Sequence, residues 1–335
     1  MPVIERPDIS GPVPAPGSPG ILVPVEYSRD IITGATEGSF ALRNFTVQRM
    51  PAGIVAMPVM SALPVADWVK ESPLTGAGSN ETKKPTTEAT WKTAILQAEE
   101  AAAMVVVPEA VIYDASVDLF AALRDPLTTA LARVVDDAIL FGGSGTHKKP
   151  TSWENGIVTQ AAAAANAQEV ADAEGTDFAQ QVSDAMGELE AIGYMPNLIG
   201  GGPTLSGRFR SMTDQMGRPL YFDNIRNDTN QARIWGTNID IARNGAWDDT
   251  VALAAVFDTS KIVVGIREDI TFKVLSEATI DVSPARDGSQ LIYLAQQDCV
   301  ALRVRYRVAW TQVQPVGSLG SGLPAVAVTP FVTTP

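Results

Sequence analysis

An α+β chain is what this sequence predicts, and three observations predict it. Helical spacing of apolar residues runs through residues 118–141 and again through 176–192, and a strict period-two alternation occupies 299–313. The helices are too few and wrongly spaced for the regular strand–helix alternation of a wound parallel sheet.

Taken in order, the first 24 residues carry seven prolines, at positions 2, 7, 12, 14, 16, 19 and 24, which excludes a helix or a central strand. This segment is expected to be an extended arm, and Val13, Ile21, Leu22, Val23 and Val25 give it apolar handles for lying on another surface. From Met50 to Trp91 the chain is rich in Val, Met, Pro and Gly, then polar, then apolar again. A turn cluster at 72–85 makes this a long two-stranded excursion. About 20 residues per limb at ~3.3 Å each would reach roughly 60 Å, and such a hairpin is marginal alone. Apolar residues such as Ile54, Val59 and Trp68 would each forgo about 1.5–3 kcal/mol if left in water. A neighbouring chain is expected to cover them.

Residues 101–111 read as a strand returning to the body. In the helix that follows, Leu119, Leu123, Leu127, Leu131, Val134, Val135 and Ala138 form one continuous stripe. At about 1.5 Å per residue this helix is roughly 36 Å long, so a long sheet has to lie against it. Pro126 should kink it; alternatively, Asp125 caps and Pro126 opens a second helix. Gly142-Gly143-Ser144-Gly145 reads as the stop. Residues 146–173 are read as loop and an alanine-rich tract with few core-forming residues. Thr176 is an N-cap candidate for the second helix, with Phe178, Val182, Met186, Leu189 and Ile192 on one face and Gly193 as its left-handed exit. Short strands and turns follow to residue 255, then strands at 262–264 and 270–280. In the last strong strand, Val300, Leu302, Val304 and Tyr306 alternate with Ala301, Arg303, Arg305 and Arg307, placing the arginines on one side. The tail from Pro315 is Gly, Pro and small apolar residues.

An apolar fraction of 45% supports a substantial core, and the single cysteine, Cys299, excludes a disulfide framework. No uninterrupted apolar run of about 18 residues is present to cross a bilayer as a helix. A net charge of −13 argues against gripping nucleic acid. The adjacent lysines, Lys83-Lys84 and Lys148-Lys149, read as solvated loop tips.

Catalytic patterns are missing. The one histidine, His147, sits beside two lysines in a glycine-flanked loop without a nucleophile–base partner, and one Cys plus one His cannot supply a zinc site. Residues 142–148 place the helix before the glycines, where a phosphate loop needs it after them. Asp136-Asp137 and Glu99-Glu100 are adjacent, so the members of each pair point different ways. No catalytic, cofactor or metal residue is expected.

Several stretches taken together carry a resemblance. Leu63 to Ser72 (LPVADWVKES), a spine helix ending DDAILFGGSG, Asn155-Gly156-Ile157 and Gly193-Tyr194-Met195-Pro196-Asn197 come first. Met216-Gly217-Arg218-Pro219-Leu220-Tyr221, Trp235-Gly236-Thr237, Val264-Gly265-Ile266-Arg267-Glu268-Asp269 and Ala301-Leu302-Arg303-Val304-Arg305-Tyr306-Arg307-Val308 follow. No one of these is specific, but in this order and spacing, from about residue 40 to 313, the chain resembles the major capsid proteins of tailed bacteriophages.

The resemblance implies a Hong Kong 97-like fold. Its parts would be an N-terminal arm (1–30), an extended β-hairpin loop (50–92), a peripheral domain with spine helix and sheet (31–49, 93–148 and 265–312) and an axial domain (149–264 and 313–335). It implies hexamers and pentamers closing into an icosahedral head shell around double-stranded DNA, without sequence-specific binding and without a membrane. Inter-subunit contacts are expected at Val59, Trp68, Glu71, Lys83 and Lys84 of the loop, and at Arg267, Glu268, Arg303 and Arg305 of the sheet. Expected partners are a portal protein, a separate scaffolding protein and a decoration or cement protein, with assembly in the host bacterial cytoplasm and residence in the virion. Relatives with a built-in scaffold carry a long helical segment before the arm; here the arm begins at once, so none is expected. Some relatives weld subunits by an isopeptide bond from a loop lysine to an asparagine helped by a glutamate. Residues 281–310 hold neither Asn nor Glu, so no weld is expected. Two other readings are an encapsulin-like compartment of the same fold and a hydrolase using Asp136 or Asp137 with His147.

Overall fold

The computed structural model describes residues 38–60, 91–115, 118–143, 148–163, 168–169, 178–212, 233–283, 288–313 and 322–330. A short helix α1 (Phe40–Asn44) leads into β1 (Thr46–Arg49), and β2 (Ile54–Met60) pairs antiparallel with β3 (Trp91–Gln97). Next come β4 (Glu99–Pro108), α2 (Glu109–Asp114), α3 (Leu119–Leu140), α4 (Ile157–Ala162), β5 (Gln168–Glu169) and α5 (Phe178–Ala191). Then follow β6 (Leu198–Gly201), α6 (Leu205–Ser211), β7 (Arg233–Ile234), β8 (Thr237–Ile241) and β9 (Ala254–Phe257). After a 3-10 turn at Thr259–Lys261 come β10 (Ile262–Leu275), β11 (Thr279–Asp281), β12 (Leu291–Tyr293), β13 (Cys299–Gln312) and β14 (Ala325–Thr329). Two larger sheets carry most of these strands. The order β1-β10-β13-β4 has β1 parallel to β10, and the order β5-β14-β9-β6-β8-β7 joins parallel and antiparallel neighbours. This is the α+β arrangement the sequence predicts.

The chain divides into two compact units. One contains Ala102–Thr128 and Phe272–Val304, and its core is Ile280, Leu294 and Ala301 with Val106, Leu275 and Ile292 packed around them. In it Asp281 organises the turn between β11 and β12. Its carboxylate accepts the backbone N–H of Ser283 at 2.9 Å and of Gly288 at 2.8 Å. The Ser283 side chain and these N–H groups hold it below the ordinary carboxylate range. The other unit contains Glu37–Ala101, Thr129–Thr271 and Arg305–Pro335. Its core joins Phe178, Val182 and Leu189 of α5 to Ile199, Val256 and Val326 of the six-stranded sheet.

The spine helix is continuous through Pro126, which settles the open choice in favour of one helix. Leu127, Leu131, Val135 and Ala138 of the stripe are buried, Leu119, Leu123 and Val134 half-buried, and from Val135 to Phe141 every residue is buried. The exit works as expected from the glycines. Gly142 and Gly143 take φ of 75° and 85°, and Gly143 N donates to Asp137 O at 3.2 Å, six residues back, in a Schellman arrangement. The second helix likewise ends at Gly193 (φ 95°), with Tyr194 N donating to Leu189 O at 3.1 Å; Thr176 lies outside the described residues.

Four expectations are corrected. The strand placed at 101–111 is β4, Glu99–Pro108, and residues 109–114 are helical, because Pro108 ends the ladder and precedes a helical Glu109. Residues 146–173 are not all loop: α4 buries Ile157, Val158 and Ala161 and lies against β14. The tail holds a strand, β14, with Ala325 to Val328 buried; a strand covered on both faces shows no alternation. Finally, 262–264 and 270–280 are not separate strands at their junction, because β10 runs unbroken through Arg267-Glu268-Asp269. Its charges are matched across the sheet, Asp269 by Arg49 at 2.7 Å and Glu268 by Arg305 at 2.5 Å.

Candidate assembly interface

The β2–β3 hairpin has two faces of different fate. Antiparallel partners share a face, and the register sets Ile54, Ala56 and Pro58 beside Gln97, Ile95 and Thr93. On this face Ile54 is 62% exposed, Ile95 56% and Trp91, at the end of β3, 61%. On the opposite face Val55, Met57 and Leu96 pack with Met50, Ala98, Val263 and Ala309. The hairpin root is pinned by three hydrogen bonds. Ala98 N donates to Gly53 O at 2.8 Å, Trp153 Nε1 to Gln97 O at 3.0 Å, and Ser152 Oγ to Glu99 Oε1 at 2.5 Å. One side is thus anchored in a core while the other offers an apolar strip to whatever approaches.

Of the contact residues expected from the resemblance, Val59 is half-buried on β2, and Trp68, Glu71, Lys83 and Lys84 lie outside the described residues. Arg267 is exposed and donates through Nη1 to Met50 O at 3.1 Å. Glu268 and Arg305 are brought together within the chain: Nη2 and Nε of Arg305 donate to Oε1 of Glu268 at 2.5 and 3.2 Å. The carboxylate raises the arginine's pKa further above its ordinary value. Arg303 is half-buried on the same strand.

The quoted Trp235-Gly236 forms the two-residue turn between β7 and β8. Both residues have positive φ, 48° and 83°, as the primed hairpin turns require. Trp235 is more than half exposed there.

A polar centre that sequence reasoning dismissed lies at Asp136. Its carboxylate is fully buried and accepts Ser39 Oγ, Phe40 N at 2.7 Å, Ala41 N at 3.0 Å and Asn244 Nδ2 at 2.5 Å. Ser39 in turn accepts Leu42 N at 3.2 Å and so caps α1. Around α1 the Phe40 ring meets Phe45, Trp247 and Phe257 at centroid distances of 6.1, 6.1 and 6.3 Å. Arg43 grips Asp240 with two hydrogen bonds, at 2.9 and 3.0 Å. Burial pushes the Asp136 carboxyl above its ordinary value, and the hydrogen bonds from Ser39, Ala41, Phe40 and Asn244 pull the other way. The sequence held one signal for this centre, an aspartate pair inside an otherwise apolar helix end.

A carboxylate with no exposed surface and four donors already on its oxygens cannot meet a substrate, which removes Asp136 from the hydrolase reading. His147 lies outside the described residues. Among the described residues no three His, Cys, Asp or Glu side chains are grouped to hold a metal, and no helix is long and apolar enough to cross a membrane.

The phage capsid family model matches residues 19–316. Among solved structures, a chain of Microbacterium phage Oxtober96 is similar at 35% identity and a TM-score of 0.76, over 92% of this chain and 97% of that one. A chain of Mycobacterium phage Adephagia is similar at 30% identity and 0.78, over 94% and 97%. The capsid of a native GTA particle, at 20% identity and 0.61 over 92% and 95%, shares the fold. No curated protein sequence matches the chain.

Proposed function

The chain belongs to the phage capsid family, and on that premise we propose that its copies close into hexamers and pentamers through the exposed face of the β2–β3 hairpin. It is a major capsid protein of a tailed-phage head shell, a structural role. The observation that carries the finer reading is that face, with Ile54, Trp91 and Ile95 each more than half exposed. Three such side chains left in water forgo about 1.5–3 kcal/mol apiece, and a neighbouring copy recovers it. Arg267, Glu268, Arg303 and Arg305 contribute charge at the contacts, and Val59 and the loop residues Trp68, Glu71, Lys83 and Lys84 extend the apolar and polar surface. The arm is residues 1–30, the loop 50–92, and the peripheral and axial parts divide as the resemblance implies.

The net charge of −13 suits such a wall. Fields between exposed charges fade over about 10 Å at 0.1 M salt, so local complementary pairs still align copies while the packaged double-stranded DNA is held by confinement. A portal, a separate scaffolding protein and a decoration or cement protein complete the head during assembly in the host cytoplasm.

Negative-stain microscopy of the expressed chain, alone or with a scaffold, tests the reading. Closed shells or capsomers are expected, and a monodisperse monomer at high concentration overturns it. Shells purified from infected cells should hold DNA; a protein cargo in its place would favour the compartment reading. On a boiled, reduced gel, particles should give a monomer band, since residues 281–310 lack the Asn and Glu that a lysine weld needs. A ladder of covalent oligomers contradicts this.

A further inference from the structure

We propose that the smaller unit, Ala102–Thr128 with Phe272–Val304, opens on its own in the free subunit while the larger unit stays folded, and that incorporation into a shell closes it. The inference rests on the shell reading above and assigns a conformational step within it. These two segments amount to about 60 residues, a size at which a single core is marginal. The buried cluster within them holds three residues, Ile280, Leu294 and Ala301, where the cluster around α5 in the larger unit holds sixteen. Local opening starts where buried apolar contacts are fewest.

The secondary structure of this unit is weakly secured. α2 is six residues long, buries none of them and starts at Pro108 without a side-chain cap. A helix shorter than about 12–15 residues is marginal in water without packing, and here Val111 and Ile112 are only half-buried and Tyr113 is 82% exposed. In α3 no residue from Leu119 to Pro126 is buried, and burial starts at Leu127. Pro126 supplies no N–H to the carbonyl of Ala122, so one rung of the helix is missing just before this unit ends at Thr128. The Thr128 hydroxyl donates to Arg124 O at 2.9 Å, which makes a side chain compete for a carbonyl the helix itself uses. β11 and β12 form a two-stranded sheet of three residue pairs with Leu291 and Tyr293 exposed, and a lone pair of strands is marginal too. The apolar surface made by Tyr113, Val274 and Tyr293 exists only while the unit is closed. A neighbouring copy that covers any of it therefore selects the closed form.

Hydrogen–deuterium exchange of the full chain, read by mass spectrometry, tests this in the unassembled subunit and again in imaged particles. In the subunit, peptides within 104–125 and 272–297 are expected to exchange at least about a hundredfold faster than those within 178–193 and 252–265. Pro126→Ala, which restores the missing N–H at an exposed position, should slow exchange within 109–125 at least about tenfold. Leu294→Ala should hasten it in both segments of the smaller unit, and both variants should leave 178–193 within about twofold of the parent. In particles the contrast between the units should narrow at least about tenfold. Equal protection of the two units in the subunit, or a Leu294→Ala effect that reaches 178–193 in equal measure, overturns the opening. A contrast that persists unchanged in intact particles overturns the closure. A chain that never forms particles sinks the shell reading and the closure with it, whereas the opening is decided in the subunit alone.

Discussion

Replacing Gly156 with alanine is expected to destroy the folded subunit, with a loss of at least about 3 kcal/mol. A Cβ built at this position would lie 2.2 Å from Gly142 N, 2.3 Å from Phe141 C and 2.4 Å from Phe141 N. All three are backbone atoms of the exit from α3, and none has a rotamer to change. The crossing is further tied by Thr159 Oγ1, which donates to Phe141 O at 2.9 Å. The methyl therefore has to drive the start of α4 away from the end of α3 and open the core that Ile157, Val158 and Ile139 fill with no exposed surface. Gly187→Ala is the control. It lies within α5, where nothing stands within 4 Å, and it should stabilise by about 0.5–1 kcal/mol. Urea unfolding of the two unassembled variants measures both; a Gly156→Ala protein within 1 kcal/mol of the parent would refute the crossing.

The second large effect is expected at Asp136. Alanine there leaves Ser39 Oγ, Phe40 N, Ala41 N and Asn244 Nδ2 without their common acceptor in a buried site. Each unsatisfied donor costs about 1–3 kcal/mol, offset in part by relief of the buried charge, so a net loss of about 3 kcal/mol is expected. Asn retains one acceptor oxygen and should lose less. The pH dependence has a definite sign. Burial raises the carboxyl in the folded state, so the fold binds this proton more tightly than the unfolded chain does. The stability associated with the group is complete below the ordinary carboxylate range and is lost as pH rises through the raised folded value. Relative to Asp136→Asn, the parent should therefore gain stability as the pH falls from neutral toward 4. Parallel unfolding curves for the two proteins across that range would contradict the assignment.

How much of this was legible in the sequence depended on where each residue's partners lie. The α3 stripe was legible because Leu127, Leu131 and Val135 meet their environment at helical spacing, and β13 because Leu302, Val304, Tyr306 and Val308 are buried while Arg303, Arg305 and Arg307 are not. β14 was not, since Ala-Val-Ala-Val buried on both faces carries no period. The middle of β10 was not, because Glu268 and Asp269 read as a loop until Arg305 and Arg49 are known to stand opposite. Asp136 was hidden for a further reason. Its donors are 95 to 108 residues away in the chain, and local spacing says nothing about such partners. The apolar excess of the hairpin, by contrast, was visible in composition at Ile54, which is 62% exposed, whereas Trp91 and Ile95 joined that face only through the β2–β3 register.

The Asp136 centre has a mechanical corollary. Residues 39–41 meet on a single carboxylate that also accepts Asn244. A tug arriving through Gly38 cannot unzip these bonds in succession; they share one anchor and must let go together. A pull on Gly38 is thereby delivered through Asp136 to the buried end of α3, and not to the short helix α1 alone.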